Sequence, residues 1–215
     1  MGGRFIVDGP AHAPATILLA HGAGAPMDSA AMNAAAGALA DAGLRVARFE
    51  FAYMAGRRGA GERKPPPRAE TLMPEYEAAI DDLRPDGPLV IGGKSMGGRV
   101  ASMIADRMLD QGRIRGLLCL GYPFHPPASP TRLRTGHLAH LRTPALICQG
   151  TRDPFGTRAE VAFYALSPAI ELLWLEDGDH DLRPRKSDSG FSAADHLRTM
   201  AATAAAWVDR IAPPR

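Results

Sequence analysis

Six short apolar runs recur along this chain of 215 residues, and longer stretches with helical spacing separate most of them. The runs are "ATILLAHG", "LRVARFEF", "PLVIGGKS", "IRGLLCLGYP", "PALICQGTRD" and "IELLWLEDGDH". Several are apolar at every position instead of every second one. That pattern belongs to strands buried on both faces, as in a parallel sheet sandwiched by helices. "RFIVDG" near the start adds a candidate edge strand. The helical stretches cover 29–42, 71–83, 97–109, 158–166 and 193–211. The first ends at Gly43 and the second stops before Pro85, both ordinary stop signals. The alternation predicts one α/β domain over 1–215, with a mostly parallel sheet of about 6–7 strands and helices on both faces. Ligands of such sheets bind beyond the carboxyl ends of the strands. The residues just beyond each strand are therefore the informative part of the sequence.

Composition narrows the function classes. Apolar residues make up 46% of the chain, enough for a core. Lys and Arg number 25 against 23 Asp and Glu, so the net charge is only +2 and no nucleic-acid partner is expected. No stretch approaches the ~20 apolar residues of a membrane helix. The N-terminus lacks the basic-then-apolar form of a signal peptide. Cys119 and Cys148 each sit in an apolar run, which reads as two buried thiols in neighbouring strands of a protein kept in a reducing, cytoplasmic compartment.

The stretch "GGKSMGG", residues 92–98, admits two readings. Gly-Lys-Ser is the end of a phosphate-binding loop. That loop needs a glycine five positions before the second one, and counting back from Gly93 gives Pro88. The intervening residues also read as strand. The second reading is a nucleophile elbow, G-x-S-x-G between a strand and a helix. "LVIGG" supplies the strand and "GRVASMIA" the helix. Ser95 then becomes the candidate nucleophile, at a helix N-terminus that favours developing negative charge.

A serine needs a base, and the base needs an acid to orient it. Asp153 follows the strand "PALICQG", and His180 follows the strand "IELLWLE". Both would project from the same sheet edge as Ser95, in the order Ser, Asp, His. An oxyanion hole requires two N–H donors. Met96, next after the serine, offers one, and Ala23 or Gly24 in "HGAGAP" offers the other. His21 reads as a residue that holds this loop. Asp177, Asp179 and Asp181 read as solvated loop acids, and His137 with His140 as a surface pair. No metal site or cofactor is expected. The segment "YMAGRRGAGERKPPPRAE" reads as a basic loop on the same edge, with Arg57 and Arg58 as candidate substrate contacts beside Arg63, Lys64 and Arg68. "GYPFHPPASP" is a candidate pocket wall, with Tyr122 facing substrate.

Together "HGAGAPMDS", "FAYMAGRRGAGERKPPP" and "GGKSMGGRVAS" resemble the α/β-hydrolase superfamily over nearly the whole chain. They resemble in particular a small capless bacterial branch related to the hydrolase-like domains of testis-expressed protein 30 and KANSL3, and distantly dienelactone hydrolases. Those use cysteine where this chain has Ser95. The resemblance implies Ser95 as nucleophile, Asp153 as acid and His180 as base, in a cofactor-free hydrolase of small-molecule esters. An anionic ester is the sharper expectation, from the basic loop. The alternative is an idle hydrolase scaffold used for binding. Neither reading gives an oligomeric state.

Overall fold

In the computed structural model, residues 4–60 and 65–213 are described, with the side chains of residues 58–60 excepted. Arg63 and Lys64 lie outside the described residues, as does the side chain of Arg58.

Seven strands form one sheet: β1 (Phe5–Asp8), β2 (Thr16–Ala20), β3 (Arg45–Phe49), β4 (Leu89–Lys94), β5 (Gly116–Leu120), β6 (Ala145–Gly150) and β7 (Ile170–Leu175). Their order is β1-β3-β2-β4-β5-β6-β7. Only β1 runs antiparallel, paired with β3 at the edge. The other pairings are parallel. This is the expected α/β-hydrolase architecture, with no separate cap domain among the described residues.

The helices are α1 (Ala30–Asp41), α2 (Ala52–Ala60), α3 (Met73–Leu83), α4 (Met96–Asp110), α5 (Arg158–Val161), α6 (Lys186–Ser189) and α7 (Ala193–Ile211). Successive residues of β2 feed opposite faces. Leu18 and Ala20 pack with α3 and α4, while Ile17 and Leu19 pack with α1 and α7. The central strands are thus buried on both sides, which is why their sequences are continuously apolar. Cys119 and Cys148 are buried and free, and burial pushes the Cys148 thiol up to about 12.

Tyr76 of α3 is fully buried and joins that helix to the β2–β4 seam. Its hydroxyl accepts the Gly92 N–H at 2.9 Å and lies 2.8 Å from the Leu18 carbonyl.

Two segments differ from the sequence reading. Residues 52–60, expected as loop, are the helix α2. Ala, Met and Arg are good helix formers. The first N–H of α2 is satisfied by Glu75 from α3, at 2.7 Å, and its Met54 is buried. Conversely, the helix expected over 158–166 stops at Val161. Only Val161 in it is buried, and a short helix with no face to bury has little to hold it. Beyond it Phe163 and Tyr164 close four-residue turns. Among the described residues no helix is long and apolar enough to cross a membrane.

Candidate functional site

The chain leaves β2 for β3 on one side of the sheet and returns to place β4 on the other side of β2. Such a switch point opens a crevice beyond the strand ends. Residues 21–25 leave β2 there, and Ser95 leaves β4.

Ser95 links β4 directly to α4 and sits at φ 51°, ψ −116°. A non-glycine residue rarely adopts such a conformation, and it is typical of a side chain thrust outward from a tight turn. Gly93 and Gly97 make that turn possible. A side-chain carbon at either would collide with the carbonyl oxygen of Ala20.

His180 presents Nε2 to Ser95 Oγ at 2.8 Å and Nδ1 to Asp153 Oδ2 at 2.8 Å. Asp153 is fully buried. Its Oδ1 accepts the Phe155 N–H at 2.8 Å, and its Oδ2 also accepts the Gln149 amide at 2.9 Å. With this acceptor beside it, Nδ1 carries the imidazole proton and Nε2 is left to accept the serine's. The Phe155 ring lies 4.2 Å from the His180 ring, centroid to centroid, and covers it. The arrangement gives a hydroxyl proton somewhere to go, and gives the resulting imidazolium a buried carboxylate.

The residues expected to supply donors for an oxyanion border the same hollows as Ser95. Met96 is the first residue of α4, where N–H groups have no partner within the helix. Ala23 borders both hollows that reach Ser95. Gly24 borders only the smaller of them. The loop carrying Ala23 is tied down. His21, fully buried, donates from Nδ1 to the Gly22 carbonyl at 2.7 Å and accepts the Phe51 N–H at Nε2 at 3.1 Å. The Tyr53 hydroxyl donates to the Ala23 carbonyl at 3.1 Å, and burial pushes its pKa up to about 12.

A family model described as an alpha/beta hydrolase domain matches residues 13–209. The chain belongs to that family. Solved structures agree on the fold. A serine hydrolase without lid from Xanthomonas campestris is 18% identical with a TM-score of 0.69, covering 98% of this chain and 90% of that one. Dienelactone hydrolase from Anabaena variabilis is 20% identical with a TM-score of 0.68, covering 97% and 91%. The esterase domain of a Rhodothermus marinus protein is 19% identical with a TM-score of 0.64, covering 95% and 91%.

Some of the site residues expected from the sequence lie elsewhere in this alpha/beta hydrolase. Tyr122 does not face a substrate. It is fully buried, with its hydroxyl 3.3 Å from Ser102 Oγ, because the chain after β5 turns back under the segment 132–138. His137 is drawn into the same cluster, its Nε2 2.8 Å from Ser102 Oγ, and so is no surface partner of His140. Arg57 borders neither hollow at Ser95. As part of a helix it instead lies over the Tyr53 ring, 5.1 Å from its centroid. Asp177 and Asp181, expected as solvated acids, hold Arg185 and Lys94.

Lys94 and Gln149 are supports that the sequence reading does not reach. Lys94 donates from Nζ to the His180 carbonyl at 2.6 Å and pairs with Asp181 at 3.2 Å. Burial pulls its pKa down against the pull of that carboxylate. Gln149 accepts the Tyr122 N–H at 2.7 Å while its amide holds Asp153. Their signals are a lysine inside the elbow motif and a lone amide in an apolar strand.

Proposed function

We propose that this alpha/beta hydrolase is a serine esterase acting on a small-molecule ester, with Ser95, His180 and Asp153 as its catalytic triad. The observation that carries the reading is the unbroken hydrogen-bonded chain from Ser95 Oγ through His180 to the buried Asp153, with Ser95 held in the strained elbow conformation. The esterase and serine hydrolase names of its structural neighbours support the same class.

In this reading Ser95 Oγ attacks the ester carbonyl carbon as its proton passes to His180 Nε2. Asp153 holds the tautomer and stabilises the imidazolium. The N–H groups of Met96 and Ala23 receive the oxyanion, with Gly24 as the alternative donor. Collapse breaks the bond to the leaving oxygen, which takes the proton from His180. Water then attacks the acyl-serine, gives its proton to His180, and releases the acid as the proton returns to Ser95. The finer likeness to the small capless branch, and a cytoplasmic location, belong to the same proposal.

A fluorophosphonate probe and a panel of short-chain p-nitrophenyl esters test it. Labelling and turnover should both vanish in Ser95→Ala, with turnover reduced by at least about 10³-fold. Asp153→Asn should lower kcat by about 10⁴-fold, because the imidazole loses its tautomer. Labelling that persists in Ser95→Ala would assign the nucleophile elsewhere.

A further inference from the structure

Two hollows meet at Ser95, and they differ in chemistry. The smaller, of about 250 Å³, is bordered by His180, Lys94, Asp181 and the loop Gly22 to Ala25. The larger cleft, of about 530 Å³, has no histidine on its wall among the described residues, and there carries Arg68, Arg99, Arg132 and Arg134 against the one acid Glu70.

These arginines are not equivalent. Arg99, partly buried, holds Glu70 at 2.7 Å. Arg48, buried elsewhere in the fold, likewise holds Asp8 at 2.8 Å. Arg134 is also partly buried, yet its guanidinium touches no carboxylate or hydrogen-bond acceptor among the described residues. Burial and the nearby Arg99 pull its pKa below the ordinary range, against the weaker opposing pull of Tyr122 and Glu70. A cation withdrawn from water beside a second cation is unfavourable unless an anion joins them.

The position of His180 says which part of the substrate meets these groups. The base returns its proton to the leaving oxygen, so the leaving group lies on the histidine side and the acyl group opposite. The acyl group therefore enters the arginine cleft. Resting on the reading of Ser95 as nucleophile, we propose that the acyl group ends in a carboxylate held by Arg134 and Arg132. The substrate is a half-ester of a small dicarboxylic acid, and the product released from Ser95 is the diacid.

The test compares matched pairs, monoethyl glutarate with ethyl pentanoate and monoethyl adipate with ethyl hexanoate, by acid release in a pH-stat. The wild-type protein should favour the anionic member of at least one pair by about tenfold or more in kcat/KM, the scale of a charged hydrogen bond. Arg134→Gln should bring the ratio towards one, and Arg134→Lys should keep part of it. Fluorophosphonate labelling of Ser95 reports that each variant is folded. A wild-type preference for the neutral esters, or a ratio unchanged in Arg134→Gln, overturns the proposal while leaving the esterase reading intact. A second measurement does not depend on turnover: glutarate titrated calorimetrically into Ser95→Ala should bind, and the added Arg134→Gln should remove the binding. No binding overturns the anion site. Binding without turnover of any ester would instead count against the nucleophile.

Discussion

Ser95 is held where a serine is least comfortable. Its positive φ costs of order 1–3 kcal/mol for a residue with a side chain, whereas glycine adopts it freely. Ser95→Gly should therefore raise unfolding stability by about 1 kcal/mol while removing esterase activity. Urea titration of the two proteins decides it, and a less stable glycine variant would mean that the elbow stores no strain. The same local logic explains what is legible in the sequence. Ser95 is readable because Gly93 and Gly97 flank it in the chain, and Asp153 and His180 because each lies in the loop just beyond a strand. Gln149 and Lys94 are not, because Gln149 is fixed by Tyr122 from the loop after β5 and Lys94 by His180 and Asp181 from the loop after β7, contacts that exist only in the folded chain. Arg134 escapes notice for a further reason: no contact of its guanidinium among the described residues marks it, and only the assembled cleft brings it near Ser95.

The loop after β7 carries His180, the proposed base, and it is fastened at two points. Lys94 holds the His180 carbonyl at one of them. At the other, Asp177 accepts the Arg185 N–H at 2.6 Å and donates its own N–H to Thr151 Oγ1 at 2.8 Å. Hydrogen bonds from Arg185 lower the Asp177 pKa to about 2. A carboxyl depressed on folding contributes stability above its unfolded pKa, near 4, and loses it as pH falls through the folded value. The stability difference between wild type and Asp177→Asn should thus be constant at neutral pH and shrink between about pH 4 and pH 2. Urea midpoints across that range measure it, and a difference that does not change with pH would remove Asp177 from the acid response. At this scale the sequence misleads at α2, as it does at the end of α5. The chain from Ala52 to Ala60 looks like loop because its own glycines and arginines give no sign of Glu75, which caps it from α3. Tertiary partners of that kind override local appearance.

At the scale of the whole molecule, the α1 and α7 face closes on Trp207, which is 1% exposed and among the largest buried side chains. Its indole packs over Gly116 of β5, beneath the centre of the sheet. Trp207→Ala should cost about 3–5 kcal/mol. Thermal unfolding should show a fall of roughly 10 °C. A shift of only a degree or two would mean that the helix layer collapses to fill the space. This layer is the most legible part of the fold, since the long C-terminal helix and the doubly buried strands follow from hydrophobic pattern alone. The arginine cleft lies at the other extreme. Much of its wall comes from Pro66 to Glu70 and Arg132 to Arg134, segments with little regular pattern that meet only once the sheet is assembled.

That cleft also bears on how the protein should be handled at the bench. An open trough lined by guanidinium groups does not distinguish a substrate's carboxylate from any other small oxyanion in the solution. Phosphate, sulfate and citrate are the usual components of buffers and storage media, and all of them match a guanidinium fork. A substrate survey in a phosphate buffer would set a large excess of competitor against dilute ester, and the esters it would hide first are the anionic ones. Screening in an amine or zwitterionic buffer at low ionic strength is thus part of asking the question, not a detail of the assay.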